Sequence, residues 1–421
     1  MPIEDSIAGS QARVYIPTMG TSTSIAKSGT VTHLAGADGV RSIACLWVMF
    51  AHLFMELPPT FEVTLFPFWI IYRGGVGVGM FFVLSGFLLS QPFWRAFLEA
   101  KAMPSLRVYW ARRMARIAPG YWLCVIVTAL ASGAVASRWD VVALLMTLSF
   151  TNCFLASTYS PAFNLPLWSI SVEVWFYVFL PLTMMLIFRC RKVAVAVALI
   201  AVLMIGLMVA QWTFLRVGPS IEAAVNDRAL FSMSESAWST HQNPPAMFTH
   251  FLFGVLAGLA LQLIERSGFA PRRDRANWCD VGAVVAMVLL AAIAMASGPI
   301  IPAVAFMRYH WPFFPLIVGL LLVVLPYSRC VGTAMDNRFF RVTALLSFGL
   351  YMWHVPIFHW FGKHFPLAAE DSVSTGLAFS FGAIALTYLV AALSYFLLER
   401  PVLQWTKRRE QAAAAAAKAS P

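Results

Sequence analysis

Charge is what this sequence has least of. Only 12% of its 421 residues are Asp, Glu, Lys or Arg, while 60% are apolar; an ordinary soluble domain carries about 25% charged residues. So few charges cannot cover a water-soluble fold of this size. The same composition excludes a disordered chain, which needs low hydrophobicity and high net charge. Cysteine is sparse as well. The six (Cys45, Cys124, Cys153, Cys190, Cys279, Cys330) are scattered in or beside apolar segments. They form no CxxC pair and no metal-ligand spacing, so they read as small apolar residues, and neither a disulfide scaffold nor a metal site is expected. No internal repeat supports an inverted-repeat transporter, and no cleavable leader is evident. The first 32 residues are polar and rich in Ser, Thr and Gly, and read as a disordered cytoplasmic tail.

What the chain has in quantity is apolar runs. A spanning helix takes about 20 residues, and runs of that length lie near 38–57, 69–90, 118–137, 166–188, 193–215, 246–264, 278–297, 311–328, 342–361 and 373–397. The expected fold class is therefore all-α, a polytopic membrane helix bundle of about ten spans. A weaker run, 141–156, ends in Thr151, Asn152 and Cys153. Charge counting decides whether it crosses, because Lys and Arg gather on the cytoplasmic side. With ten spans and a cytoplasmic N-terminus, 24 of the 30 Lys and Arg fall inside; Arg73, Arg138, Arg216, Arg228, Arg308 and Lys363 fall outside. Were the weak run to cross, every later loop would flip and the split would become 13 inside to 17 outside. The expectation is ten spans with both termini cytoplasmic, and a re-entrant or buried helix at 141–156, allowed where protein encloses its backbone. The net charge of +11 follows from the same loops and from headgroup contact, so no nucleic-acid partner is expected. The chain divides into the tail 1–32, a membrane domain 33–403 in the lipid bilayer, and a basic, Ala-rich cytoplasmic tail 404–421.

Ionisable side chains within spans cost about 2.5–3.5 kcal/mol to insert, and so mark functional candidates. On the opening run, Asp38-Gly39-Val40-Arg41 is followed by His52. Eleven residues at about 100° each bring Arg41 and His52 to one helix face, roughly 16 Å apart along the axis. That places Arg41 at the cytoplasmic surface and His52 near the bilayer middle. His52 is either a packed interhelical histidine or a base reached from both sides of the membrane. Glu173, in Asn164-Leu165-Pro166-Leu167-Trp168-Ser169-Ile170-Ser171-Val172-Glu173, has Ser169 and Tyr177 one turn away on its own face. It is either an interhelical structural bond or a working carboxylate. Arg113 and Arg116 sit one turn apart in a basic run before Pro119-Gly120-Tyr121-Trp122; they either anchor the helix or fork onto a phosphate. Tyr351, His354 and His359 share one span, with His354 just before Val355-Pro356, a kink. The 216–245 stretch, with Glu222, Asp227, Arg228, Glu235, Trp238 and His241, is either a sugar-facing surface or a passive loop.

Taken in order, these segments resemble the acyltransferase 3 family of integral membrane acyltransferases. Asp38–Arg41 with His52 is similar to that family's Arg-x10-His opening. Met80–Phe87 resembles its FFVLSGF segment, and Arg113-Met114-Ala115-Arg116 its RxxR motif, followed by Pro119 and Tyr121-Trp122. Pro166–Tyr177 resembles its PLWSLSVE-x-x-FY segment, and Ser347–Pro356 and Ser394–Pro401 its two endings. The departures are Ser42 where Gly is usual, Gly79 where Asp is common, and Phe348 where Tyr is usual.

The resemblance implies transfer of an acyl group, commonly acetyl from acetyl-CoA, to a hydroxyl of a cell-envelope or exopolysaccharide sugar, or of a small hydroxylated metabolite such as a macrolide. It implies a multi-pass protein of the bacterial cytoplasmic membrane. On this expectation Arg41, Arg113 and Arg116 hold the acyl-CoA, which is a donor substrate and not a resident cofactor. His52 and Glu173 are catalytic, with Glu173 orienting the imidazole of His52. Asp38, Ser169, Tyr177, Tyr351 and His354 serve substrate binding. The rival from a different class is a proton-coupled transporter using His52 and Glu173 as a relay.

Overall fold

A computed structural model describes residues 34–58, 73–133, 135, 138–154, 164–225, 243–268, 276–296, 300–304, 307, 309–368 and 371–419. The expected N-terminal tail 1–32 and most of the 216–245 stretch lie outside the described residues. Regular structure among the described residues is helical throughout. In chain order the helices are α1 (Ala37–Met55), α2 (Gly75–Leu98), α3 (Leu106–Ser132), α4 (Arg138–Leu148), α5 (Leu167–Cys190), α6 (Val193–Val225), α7 (Pro244–Arg266), α8 (Ala276–Met295), α9 (Phe313–Val324), α10 (Cys330–Ala334), α11 (Arg338–His364), α12 (Val373–Ser394) and α13 (Arg400–Ala419). A π-helical turn, Tyr395–Glu399, joins α12 to α13.

Eight stretches are long and apolar enough to cross a membrane: Ala37–Met55, Gly75–Leu98, Leu106–Ser132, Leu167–Cys190, Val193–Val217, Pro244–Arg266, Asn277–Met295 and Val373–Ala413. Two of the ten expected spans differ. The 311–328 run forms α9, 12 residues long, extended by a 3-10 turn at Leu325–Tyr327, and is shorter than the roughly 20 residues that a span takes. The 342–361 run lies within α11, which at 27 residues is long enough but carries Arg338, Arg341, His354, His359, Lys363 and His364. Of these only His354 is buried; the other five are exposed and lie toward the two ends of the helix.

The weak 141–156 run yields α4, 11 residues long, about 17 Å at 1.5 Å per residue and well short of the hydrocarbon core of about 30 Å. A helix end leaves its last carbonyls without intrahelical partners. Aromatic donors from neighbouring helices supply them here. The Tyr121 hydroxyl donates to the Thr147 carbonyl at 2.9 Å, Trp122 Nε1 to Leu148 at 2.9 Å, and Trp175 Nε1 to Phe150 at 2.9 Å. Irregular backbone is tolerated at membrane depth only with such protein partners.

The centre of the bundle is α2 against α7. A Cβ on Gly86 would overlap the Phe251 carbonyl oxygen, and one on Gly254 the Val83 carbonyl oxygen. The two glycines therefore let the backbones meet, the small-residue packing of membrane helices. Around them Phe176, Phe251 and Phe82 stack at centroid distances of 3.9 and 4.7 Å, and Trp94 Nε1 donates to the Val255 carbonyl at 2.8 Å. Helix α1 packs against α2 and α11; a Cβ on Gly77 of α2 would come within 2.6 Å of the Ala44 carbonyl.

The charge count makes a topological expectation. A cytoplasm-only reporter fused after Arg191 or after Arg273 is active, and one fused near Asp227 is silent. Reversed signals would mean that the 141–156 region crosses the bilayer.

Candidate active site

The site is assembled where α1, α5 and α11 meet. Pro356 lies inside α11; lacking an N–H, it leaves the carbonyl four residues earlier without its helical donor. That carbonyl belongs to Met352, and Asn164 Nδ2 donates to it at 2.7 Å. Asn164 lies three residues before α5, with a positive φ of 130°, which Asn tolerates better than most residues. One turn into α5, the Ser169 hydroxyl meets the Tyr351 hydroxyl at 2.6 Å. The kink of α11 and the start of α5 are thus pinned to each other by two hydrogen bonds.

Two residues beyond Met352 on α11 lies His354, which is fully buried. Its Nε2 is 3.1 Å from His52 Nδ1, and the two rings are 5.0 Å apart and tilted by 57°. Both imidazoles also face a carbonyl of their own helix: His52 Nδ1 is 2.9 Å from Val48 O, and His354 Nδ1 is 3.0 Å from Leu350 O. A carbonyl only accepts, so each Nδ1 carries the proton. His52 Nδ1–H is then shared between Val48 and the lone pair of His354 Nε2. The nitrogen left without a partner among the described residues is His52 Nε2, on a ring that is only half-buried. Further along the same two helices, His359 Nδ1 meets Glu56 Oε1 at 3.0 Å.

Glu173 sits deeper, toward the arginines. Its Oε1 accepts from Ser85 at 2.7 Å and from Tyr177 at 3.0 Å. Arg41 interacts electrostatically with Arg116, Glu173, Asp38 and Tyr177, and Tyr109 with Arg113 and Glu173. The Tyr109 and Tyr177 rings lie edge to face at 6.4 Å. Arg113 and Arg116 are half-buried on α3. Arg113 Nε and the Tyr109 hydroxyl are buried, and among the described residues neither has a hydrogen-bond partner. Neighbouring Arg112 is exposed and pairs with Glu410 of α13 at 2.8 Å. Glu399, buried at the end of the π-helical turn, accepts from Ser394 at 3.3 Å and interacts with Arg116; such turns recur at functional sites.

The structure brings most of the expected residues into one polar column. Arg41, Arg113, Arg116, Glu173 and Tyr177 share one end, Ser169 and Tyr351 the middle, and His354 with His52 the other end. Asp38 lies in the first turn of α1 beside Arg41, about 21 Å along the helix from His52. Glu173 is bonded to Ser85 and Tyr177, and the side chain bonded to His52 is that of His354. Sequence reasoning singled out none of Asn164, Ser85, Tyr109 and Glu399 as site residues. Pro356, which frees a carbonyl, was the one available signal for Asn164. Gly79 has the ring of Tyr309 over it; a Cβ there would lie 3.2 Å from Cδ2 of that ring. Tyr309 and the following His310 both have positive φ, 55° and 49°. Tyr309 also packs edge-on against buried His250 at 5.7 Å.

The helix bundle thus holds a histidine pair at one end of a buried polar column and arginines at the other. Residues 34–396 match the acyltransferase domain of the acyltransferase 3 family, and the chain belongs to that family. Its apolar helices make it a multi-pass membrane protein. Among curated proteins it is 22% identical over 391 residues to the peptidoglycan O-acetyltransferase OatA of Listeria monocytogenes serovar 1/2a, covering 88% of this chain and 56% of that protein. It is 25% identical over 413 residues to the acyltransferase MdmB of Streptomyces mycarofaciens, covering 91% of this chain and 95% of that protein. The chain thus spans about half the length of OatA and nearly all of MdmB. No solved structure matches it.

Proposed function

We propose that this protein moves an acetyl group from acetyl-CoA to a hydroxyl of a cell-envelope or exopolysaccharide sugar, from the bacterial cytoplasmic membrane. The observation that carries the reading is a polar column with the His52–His354 pair at one end and, at the other, Arg113, whose buried Nε has no hydrogen-bond partner among the described residues. Arg113 and Arg116, with Arg41 above them, grip the phosphates of the CoA, whose pantetheine arm runs up the column. His52 Nε2 removes the acceptor hydroxyl proton as the oxygen attacks the thioester carbonyl. The C–S bond breaks, and the CoA thiolate recovers that proton from the imidazolium. Asp38 and Glu173 balance the arginine charges when the donor site is empty. Ser169, Tyr177 and Tyr351 line the path of the arm. A permease using His52 and Glu173 as a relay would leave the buried arginine end without a purpose.

A second acceptor class has its own support. This chain matches MdmB almost from end to end, whereas it corresponds to only about half of OatA. O-acylation of a small hydroxylated metabolite such as a macrolide is the alternative on that ground.

The test uses the purified protein in lipid nanodiscs with acetyl-CoA labelled in the acetyl group. The expected result is release of free CoA that depends on added host envelope material, with label recovered in its polysaccharide. Label recovered only in a small-molecule extract would favour the second acceptor class. Absence of acetyl-CoA binding and of CoA release would overturn both.

A further inference from the structure

The His52–His354 contact joins residues 302 positions apart, and its geometry is directional. His354 is fully buried and its Nδ1 proton is committed to the Leu350 carbonyl at 3.0 Å. Its only remaining polar capacity is the Nε2 lone pair, aimed at His52 Nδ1 from 3.1 Å. An imidazole with no open nitrogen cannot itself meet an acceptor hydroxyl. From this we infer that His354 is a positioning residue, neutral and accepting, that holds His52 with its proton on Nδ1 and its Nε2 lone pair toward the substrate.

The arrangement does for His52 what a third group does for the base of a nucleophile–base pair, with an imidazole in place of a carboxylate. When His52 becomes imidazolium, its Nδ1–H bond to His354 becomes charge-assisted and shortens. The interaction is therefore stronger in the transition state than in the ground state, and it raises kcat more than it lowers KM. His354 is itself held rigidly. Its ring lies 5.9 Å from Tyr351 and 5.8 Å from Phe358, and Tyr351 is fixed by Ser169. Asn164 on Met352 anchors the same turn of α11. Among the described residues the charged group that acts on His52 is Glu56, which caps the end of α1 and is already paired with His359.

The inference rests on His52 being the base, and the test keeps the two apart. It compares three variants in nanodiscs, reading CoA release from acetyl-CoA with host envelope material as acceptor. His354→Phe keeps the ring volume and removes the acceptor nitrogen; His354→Gln loses the ring and restores an acceptor oxygen. A packing role ranks Phe above Gln, and a positioning role ranks Gln above Phe. The expected result is that Phe lowers kcat about tenfold or more, the scale of losing an orienting partner, with KM for acetyl-CoA unchanged. Gln recovers most of the rate. Equal rates for wild type and the Phe variant, with His52→Ala inactive, would remove the positioning role and leave the base. An active His52→Ala would remove both. Nitrogen NMR of histidine-labelled protein gives a check that needs no turnover. His52 and His354 are both expected as Nδ1–H tautomers, and a proton on His354 Nε2 would overturn the inference whatever the kinetics.

Discussion

His52→Ala is expected to abolish acyl transfer while the protein still inserts, folds and binds acetyl-CoA. Loss of general-base help is worth about 10²–10⁴-fold in rate, so turnover should fall by at least two orders of magnitude. The structural cost is small by comparison. His52 is half-buried, and its hydrogen bonds run to Val48 and His354. Truncation leaves the Nε2 lone pair of His354 without its donor, a penalty of about 1–3 kcal/mol in a bundle joined at α2 and α7 by backbone-to-backbone packing. The measurement pairs CoA release with a melting curve and acetyl-CoA binding on the same preparation. Wild-type turnover in the variant would take His52 out of the chemistry.

The second large effect is expected at the other end of the column. Exchanging Arg113 and Arg116 together for Lys keeps both charges and removes the planar fork. Arg113 Nε is buried without an acceptor among the described residues, and on the proposed reading it donates to a CoA phosphate. An ammonium supplies a point charge instead of paired, parallel donors, so it replaces the charge of Arg113 but not that geometry. The double variant should therefore need about tenfold more acetyl-CoA for half-maximal rate, the consequence of about 1.4 kcal/mol lost in binding. Its dependence on acceptor concentration should stay as it is, because the acceptor hydroxyl is taken up at His52. An unchanged requirement for acetyl-CoA would return both arginines to helix anchoring, the role that charge counting alone assigns them.

The arginine helix also shows why sequence and structure divide the information as they do. Residues on one helix are related by a fixed rotation and rise, so patterns within a helix are legible before any fold is known. The common face of Arg41 and His52, the one-turn spacing of Arg113 and Arg116, and the turn that puts Tyr177 on Glu173 at 3.0 Å are all of this kind. So is the shortness of α4, since charge asymmetry and apolar length follow from solvation and not from packing. The number of full-length apolar spans was less legible. Helix α11 carries exposed Arg, Lys and His residues toward both of its ends, and α9 stops short.

What one helix presents to another was decided only in three dimensions. The family resemblance implied Glu173 as the group that orients His52. The fold instead hands Glu173 to Ser85 and Tyr177 beside the arginines, and gives His52 a second imidazole from α11. Two devices set that choice. The glycine contact of α2 with α7 brings those helices to backbone distance and so fixes their depth and rotation. Pro356 frees the Met352 carbonyl that Asn164 takes up, which locks α5 against the kink of α11. Composition, apolar length and helical periodicity were enough to specify a membrane bundle with a basic inner face and buried ionisable groups. Which side chain His52 Nδ1 meets was settled only by a tertiary contact across 302 residues, because a bond between helices is made by atoms that the fold brings to hydrogen-bond distance, and no periodicity along one helix carries that distance.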